Sequence, residues 1–166
     1  MLGCWHGLVR MRRQVRRAWS QVDVQLRRRL DLIACLADTN GVSASARGRL
    51  LREISNAKEA AVQEGPASER ARTERALGCA VRKAFSGKGG TSNDPLREEL
   101  ADLRQELAAT ERKARFAGQF YNDCVMRYNE RVEMVPWRVI AGMAGLEKED
   151  FFEMEDPLGS ATRGVV

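Results

Sequence analysis

Histidine is nearly absent from this chain. His6 is the only one, and it lies close to the amino terminus, so histidine-based acid–base chemistry and ligation have almost no raw material. Cysteine is sparse and scattered. Cys4, Cys35, Cys79 and Cys124 form neither a CxxC pair nor a Cys/His spacing, so no zinc site is encoded. Isolated thiols of this kind are expected as reduced, buried small hydrophobes in a reducing compartment. Aromatics make up only 6% of the chain and prolines number four, which disfavours a sheet protein and leaves room for long helices. No run of 18 or more apolar residues exists, so the sequence encodes no transmembrane helix. The opening "MLGCWHGLV" is too short for a secretory apolar core. Its Leu-Gly-Cys is no lipoprotein signal, because nothing apolar precedes it.

What is present in abundance is charge, at 31% of 166 residues with a net of +5, and it is unevenly spread. Residues 1–52 hold 11 Lys/Arg against 3 Asp/Glu, whereas residues 94–157 hold 9 against 15. A basic start and an acidic finish imply either internal pairing or two different external surroundings. The length suits one domain with a real core.

Hydropathy follows helical periods. Leu8, Met11, Val15, Trp19, Val22, Leu26, Leu30, Ile33 and Ala37 step by three and four in an eleven-residue repeat, which predicts a long, nearly straight helix from about 8 to 38. Most of its arginines fall on the opposite side, and Arg29 lands at the stripe's edge. Ser43 or Ser45 is a candidate cap for a second helix carrying Leu50, Leu51, Ile54, Ala57 and Ala61, stopped by Gly65-Pro66. Ser68 begins a third with Ala71, Leu77, Val81 and Phe85, and "SGKGGTSND" reads as a flexible linker over 86–94. Asp94-Pro95 then starts a helix of about 40 residues whose stripe runs from Leu96 to Val135 and which Pro136 ends. "VIAGMAGL" (139–146) is a short docking helix, and Phe151 and Phe152 are placed to fold back over Phe116 and Phe120. None of these stripes can be buried alone. The expected fold is therefore all-α, an antiparallel four-helix bundle with two long and two shorter helices. Its domain spans 8–156, between a disordered remnant at 1–7 and a disordered tail at 157–166.

No motif here carries chemistry. "GKGGTS" has its glycines after the lysine and no preceding strand, so it is not a phosphate loop. The acidic run from Glu147 to Asp156 lacks the alternating ligands and central glycine of a calcium loop and reads as a solvated run facing the basic first helix. Asp23 and Asp31 pair more simply with Arg27 and Arg28 along the helix than with each other as catalytic carboxylates. Two features remain. Arg10, Arg12, Arg13, Arg16, Arg17, Arg27 and Arg28 leave three readings open: a plain solvated face, a membrane-surface patch, or a nucleic-acid patch, the last disfavoured for want of stacking aromatics. Tyr121-Asn122 recurs one heptad later as Tyr128-Asn129. The tyrosines fall in the apolar stripe and the asparagines at its margin, which reads as packing with the polar groups bonded inside the bundle.

"AWSQVDVQLRRRLDLI" (18–33), "LRQELAATE" (103–111), "YNDCVMRYNERVEMVP" (121–136), "VIAGMAGL" and "FFEMED" together resemble the LemA family over roughly residues 8–156. The signature positions are Trp19, Asp23, Gln25, Arg28, Asp31 and Leu32, then Glu111, Tyr121, Asn122, Tyr128, Asn129 and Pro136, all but Arg28 of the arginine patch reading as structural. The resemblance implies a bacterial helical bundle at the cytoplasmic face of the cell membrane, normally preceded by one transmembrane helix. It implies no established enzymatic activity or cofactor. Three departures stand out: Ala34-Cys35 where the family has Pro-Asn, "SASARGRL" where the second helix usually opens with His-Glu, and no membrane span before Leu8. The expectation is a non-enzymatic interaction or scaffolding module meeting an anionic membrane surface or another protein, with no metal, cofactor or small-molecule substrate. The alternative is a soluble regulatory or nucleic-acid-binding module using the first helix.

Overall fold

In the computed structural model, residues 2–38, 44–63, 65–85, 95–135 and 137–154 are described. Every regular element among them is a helix. These are α1 (Leu2–Asp38), α2 (Ala44–Val62), α3 (Ala67–Phe85), α4 (Pro95–Glu133) and α5 (Trp137–Met143). Pro95 stands at the first position of α4, where its missing N–H costs nothing. Between α2 and α3 the Pro66 carbonyl accepts the first helical bonds from Glu69 and Arg70, at 3.1 and 3.3 Å. After α5, Gly145 takes a positive φ of 60°. Leu146 N–H then reaches back to the Ala141 carbonyl at 2.9 Å, the helix-ending turn that needs a residue tolerant of left-handed backbone. Leu146 buries itself as the turn closes, and residues 146–154 run on without regular structure along α4.

The two long helices pack along their lengths in opposite directions: Trp19 meets Tyr121, Arg29 meets Glu111, and Arg28 meets Glu106. At 1.5 Å per residue α1 and α4 are each roughly 55–60 Å long, while α2 and α3 reach only about 28 Å. The short pair therefore covers half of the long pair. At that half, Leu30, Ile33, Leu36 and Ala37 of α1 pack with Leu50, Ile54 and Ala57 of α2, Leu77 of α3 and Leu107 of α4. At the other half, Leu8, Val15, Val22 and Leu26 pack with Tyr121, Val125, Tyr128 and Val132 of α4, and the cover there comes from Ala141, Leu146 and Phe152, with Ala67 and Ala71 of α3 at its margin. The two covers meet where Ser68, in the first turn of α3, donates to the Asp150 carboxylate at 2.7 Å.

Several expectations need correcting. The helix expected to begin at residue 8 begins at Leu2, because Gly7 lies against the Trp137 ring and gives the first turns a tertiary partner; residues 2–7 are not a disordered remnant. Phe152 does fold back, but onto Gly118 and Trp19, and Phe116, Phe120 and Phe151 stay exposed. Cys35 is exposed rather than buried, on the same outer face of α1 as the exposed Arg28, Asp31 and Asp38, and Cys79 is only half-buried; Cys124 is buried. Arg29, placed by periodicity at the edge of a stripe, is 2% exposed. The linker at 86–94 and the tail at 157–166 lie outside the described residues, as does Pro136.

Candidate functional site

An α-helix consumes its own backbone hydrogen bonds, so an extended chain laid against it finds no partner for its amides and carbonyls. The α4 surface supplies them from side chains. Asn122 donates through Nδ2 to the Phe152 carbonyl and accepts at Oδ1 from the Phe152 amide, both at 2.8 Å. One heptad later Asn129 does the same for Glu149, both at 2.9 Å. Each carboxamide thus acts as a stand-in peptide group. The tyrosine hydroxyls complete the pattern: Tyr121 donates to the Asp150 carbonyl at 2.9 Å and Tyr128 to the Glu147 carbonyl at 3.1 Å.

The register follows from two pitches. Seven helical residues rise about 10.5 Å, and three extended residues span about 10 Å. A heptad on the helix therefore matches a triplet on the strand, and both the asparagine partners (149 and 152) and the tyrosine partners (147 and 150) are three apart. Burial, reinforced by the carboxylates of Glu149 and Asp150, raises the Tyr121 phenol well above its ordinary range, so its hydroxyl stays a donor. Burial likewise raises Tyr128, against the pull of Arg12.

Phe152 is the apolar anchor at 2% exposure, its ring edge-on to Trp19 at 5.6 Å between centroids. Trp19 in turn tilts against Tyr121 at 5.1 Å. Gly118 makes the room: a Cβ there would stand 3.2 Å from the Phe152 ring. Arg12 pairs with Glu149 at 3.5 Å, so one arginine of the basic helix does face the acidic segment.

Of the remaining signature residues, Glu111 belongs to a second assembly in the other half. Arg29 donates through Nε to Glu111 at 3.1 Å and through Nη1 to Glu74 at 2.8 Å. Arg70, also buried, gives Nη1 to the Ala57 carbonyl at 3.0 Å and lies 3.5 Å from Glu74. One polar cluster thereby joins α1, α2, α3 and α4. Burial outweighs both arginines on Glu74 and holds its carboxyl above the usual range. Asp23 sits at the rim, bonded by Arg27 at 2.7 Å. Asp31 is exposed, Leu32 is buried, and the Gln25 carbonyl oxygen is buried without a hydrogen-bond partner. Periodicity missed Arg29, Arg70 and Glu74. The available signal was the presence of all three inside otherwise apolar stripes.

The arginine set divides. Arg27 and Arg28 are tied to Asp23 and Glu106, and Arg12 to Glu149. Arg10, Arg13, Arg16 and Arg17 are exposed and have no ion pair among the described residues. A shallow depression of about 730 Å³ on this face is lined by His6, Arg10, Arg13, Gln14 and Arg17, with no carboxylate to form an acid–base pair. Among the described residues no group of His, Cys, Asp and Glu is arranged to hold a metal ion, and no helix is long and apolar enough to cross a membrane.

Among the described residues every regular element is helical, α4 clasps residues 147–152, and Arg29 ties Glu74 and Glu111 together inside the other half. The LemA family profile matches residues 18–163, and the chain belongs to the LemA family. A search of curated proteins finds no match. The matched range contains both the clasp and the buried charge cluster.

Proposed function

We propose that this LemA-family chain is a non-enzymatic interaction or scaffolding module that works at an anionic membrane surface, and that α1–α4 form an antiparallel four-helix bundle for that purpose. The observation that carries the reading is the composition of one end of the molecule. There Arg10, Arg13, Arg16 and Arg17 stand exposed on α1. Val135, Val139 and Met143 stand 80%, 61% and 87% exposed after α4 and on α5, the helix whose Trp137 lies against Gly7 near the start of α1. Exposed apolar side chains together with unpaired arginines suit the boundary between lipid headgroups and acyl chains.

Each basic residue near an anionic leaflet contributes about 1 kcal/mol. The chain should co-sediment with vesicles containing phosphatidylserine, lose binding as salt rises, and ignore neutral vesicles. Reversing Arg10, Arg13, Arg16 and Arg17 to Glu should abolish binding, and Met143→Asp should weaken it. Equal behaviour with anionic and neutral vesicles would sink the proposal. The alternative, a nucleic-acid-binding module using the same arginines, predicts a gel shift whose affinity falls steeply with salt. That result together with no vesicle binding would replace the membrane reading.

A further inference from the structure

The clasp on α4 is built to read a main chain. All six hydrogen bonds between Tyr121, Asn122, Tyr128 and Asn129 and residues 147–152, four donated by α4 side chains and two accepted by them, use backbone atoms of that segment. Only Leu146 and Phe152 of the segment are buried, while Glu147, Lys148, Asp150, Phe151 and Glu153 project to solvent. Side-chain contacts are few: Phe152 sits against Trp19 and Gly118, Leu146 and Met154 join the core, Glu149 pairs with Arg12, Lys148 with Glu133, and Asp150 accepts from Ser68. Backbone reading with one aromatic pocket and flanking charge is how grooves recognise extended peptides.

We propose that this groove is a peptide-recognition site, filled here by the chain's own residues 146–154. In trans it takes an extended peptide from a partner protein with an acidic residue three positions before a phenylalanine. Heptad-to-triplet matching sets the extended conformation, Asn129 and Asn122 set the spacing, Arg12 selects the acid, and the Trp19 pocket selects the ring. The segment in place is then a resident ligand whose release exposes the site. The inference does not rest on membrane binding.

The test uses the full-length chain and a fluorescein-labelled peptide with the sequence of residues 146–154, read by anisotropy. The Phe152→Ala chain, whose own segment has lost its anchor, should bind the peptide at least about tenfold more tightly than the parent chain. Adding Asn122→Ala and Asn129→Ala should remove that binding, and a peptide lacking the phenylalanine should fail to compete. A Phe152→Ala chain that keeps its helical circular dichroism yet binds no peptide overturns the proposal. Should that variant fail to fold, hydrogen exchange in the parent chain decides. The Glu149 and Phe152 amides must exchange by a local opening, well ahead of α4 amides such as that of Val125. Exchange of all of them together, by global unfolding alone, equally overturns the proposal.

Discussion

The two halves of the long α1–α4 pair are covered by different kinds of chain, and their polar residues differ accordingly. Over the half nearer the end of α1, the cover is a pair of helices. Helices satisfy most of their own backbone groups, so the buried polar contacts between helices there are mainly ion pairs of Arg29 with Glu74 and Glu111, joined by one bond from Arg70 to the Ala57 carbonyl near the end of α2. Over the other half the cover is an irregular segment with unsatisfied amides and carbonyls. There α4 presents neutral carboxamides and hydroxyls. The type of cover thus goes with the type of polar residue beneath it: ions where helix meets helix, carboxamides and hydroxyls where helix meets irregular chain.

The sharpest way to break this comparison is at Arg29. Removing one member of a buried ion cluster leaves the others uncompensated, at a cost of about 3–5 kcal/mol. Arg29→Met should lower the urea midpoint by a corresponding amount, and Arg29→Met with Glu74→Leu should recover part of it. A single variant within about 0.5 kcal/mol of the parent would refute the assignment of Arg29 as the hub. The pH dependence has a definite sign. Folding holds the Glu74 carboxyl above its ordinary 4.5, so the folded chain binds the extra proton. That contribution is present below the unfolded value and lost as pH rises through the folded one. Without the Arg29 charge beside it, Glu74 is costlier still to ionise, so the variant's deficit should shrink on acidification towards 4.5.

In the other half the expected losses are smaller, because the closing segment can detach without unmaking the helix pair. Truncating a fully buried phenylalanine costs about 3–5 kcal/mol in a core. For Phe152→Ala the loss is capped at the free energy of docking the segment, so it should fall short of Arg29→Met in the same urea titration. Asn122→Ala and Asn129→Ala each remove two hydrogen bonds and leave backbone groups that water can reach once the segment frays. About 1–2 kcal/mol apiece is expected. Fast exchange should then be confined to the amides of Glu149 and Phe152. If the asparagine variants cost as much as the Arg29 variant, the segment is an integral part of the core and the contrast between the halves disappears.

How much of this was legible in the sequence follows from what periodicity measures. Seven of the nine α1 stripe residues are buried and the other two, Met11 and Trp19, pack against the core. An apolar repeat is a direct record of the buried face. The tyrosines were equally legible as stripe members. Their partners were not, because hydrogen bonds to a backbone leave no mark on the residues being bonded: nothing in "GLEKEDFF" announces that its amides meet Asn122 and Asn129. Arg29 failed for the opposite reason. A charge inside an apolar stripe reads as an edge position until Glu111 and Glu74, 82 and 45 residues away, are seen to neutralise it. The exposed Phe116 and Phe120 were expected to be covered because two aromatics at i and i+4 imitate a second stripe; the covering segment instead follows the tyrosine–asparagine face.

The smallest expected effect bears on the same contrast through two helical glycines. Gly48 lies in α2 with open space where a Cβ would go, and Gly118 lies in α4 with the Phe152 ring 3.2 Å from that point. Helix propensity alone makes each Gly→Ala change stabilising by about 0.5–1 kcal/mol. Gly48→Ala should show that gain in full as a raised urea midpoint. Gly118→Ala must displace a ring held between Trp19 and two backbone hydrogen bonds, so the gain should vanish or reverse, and the Phe152 amide should exchange faster. The reading from each outcome is direct. A full gain at both glycines would mean that the segment yields its position freely and that Gly118 plays no part in seating it. A gain at Gly48 alone would place the constraint at the aromatic pocket, where the clasp chooses what it holds.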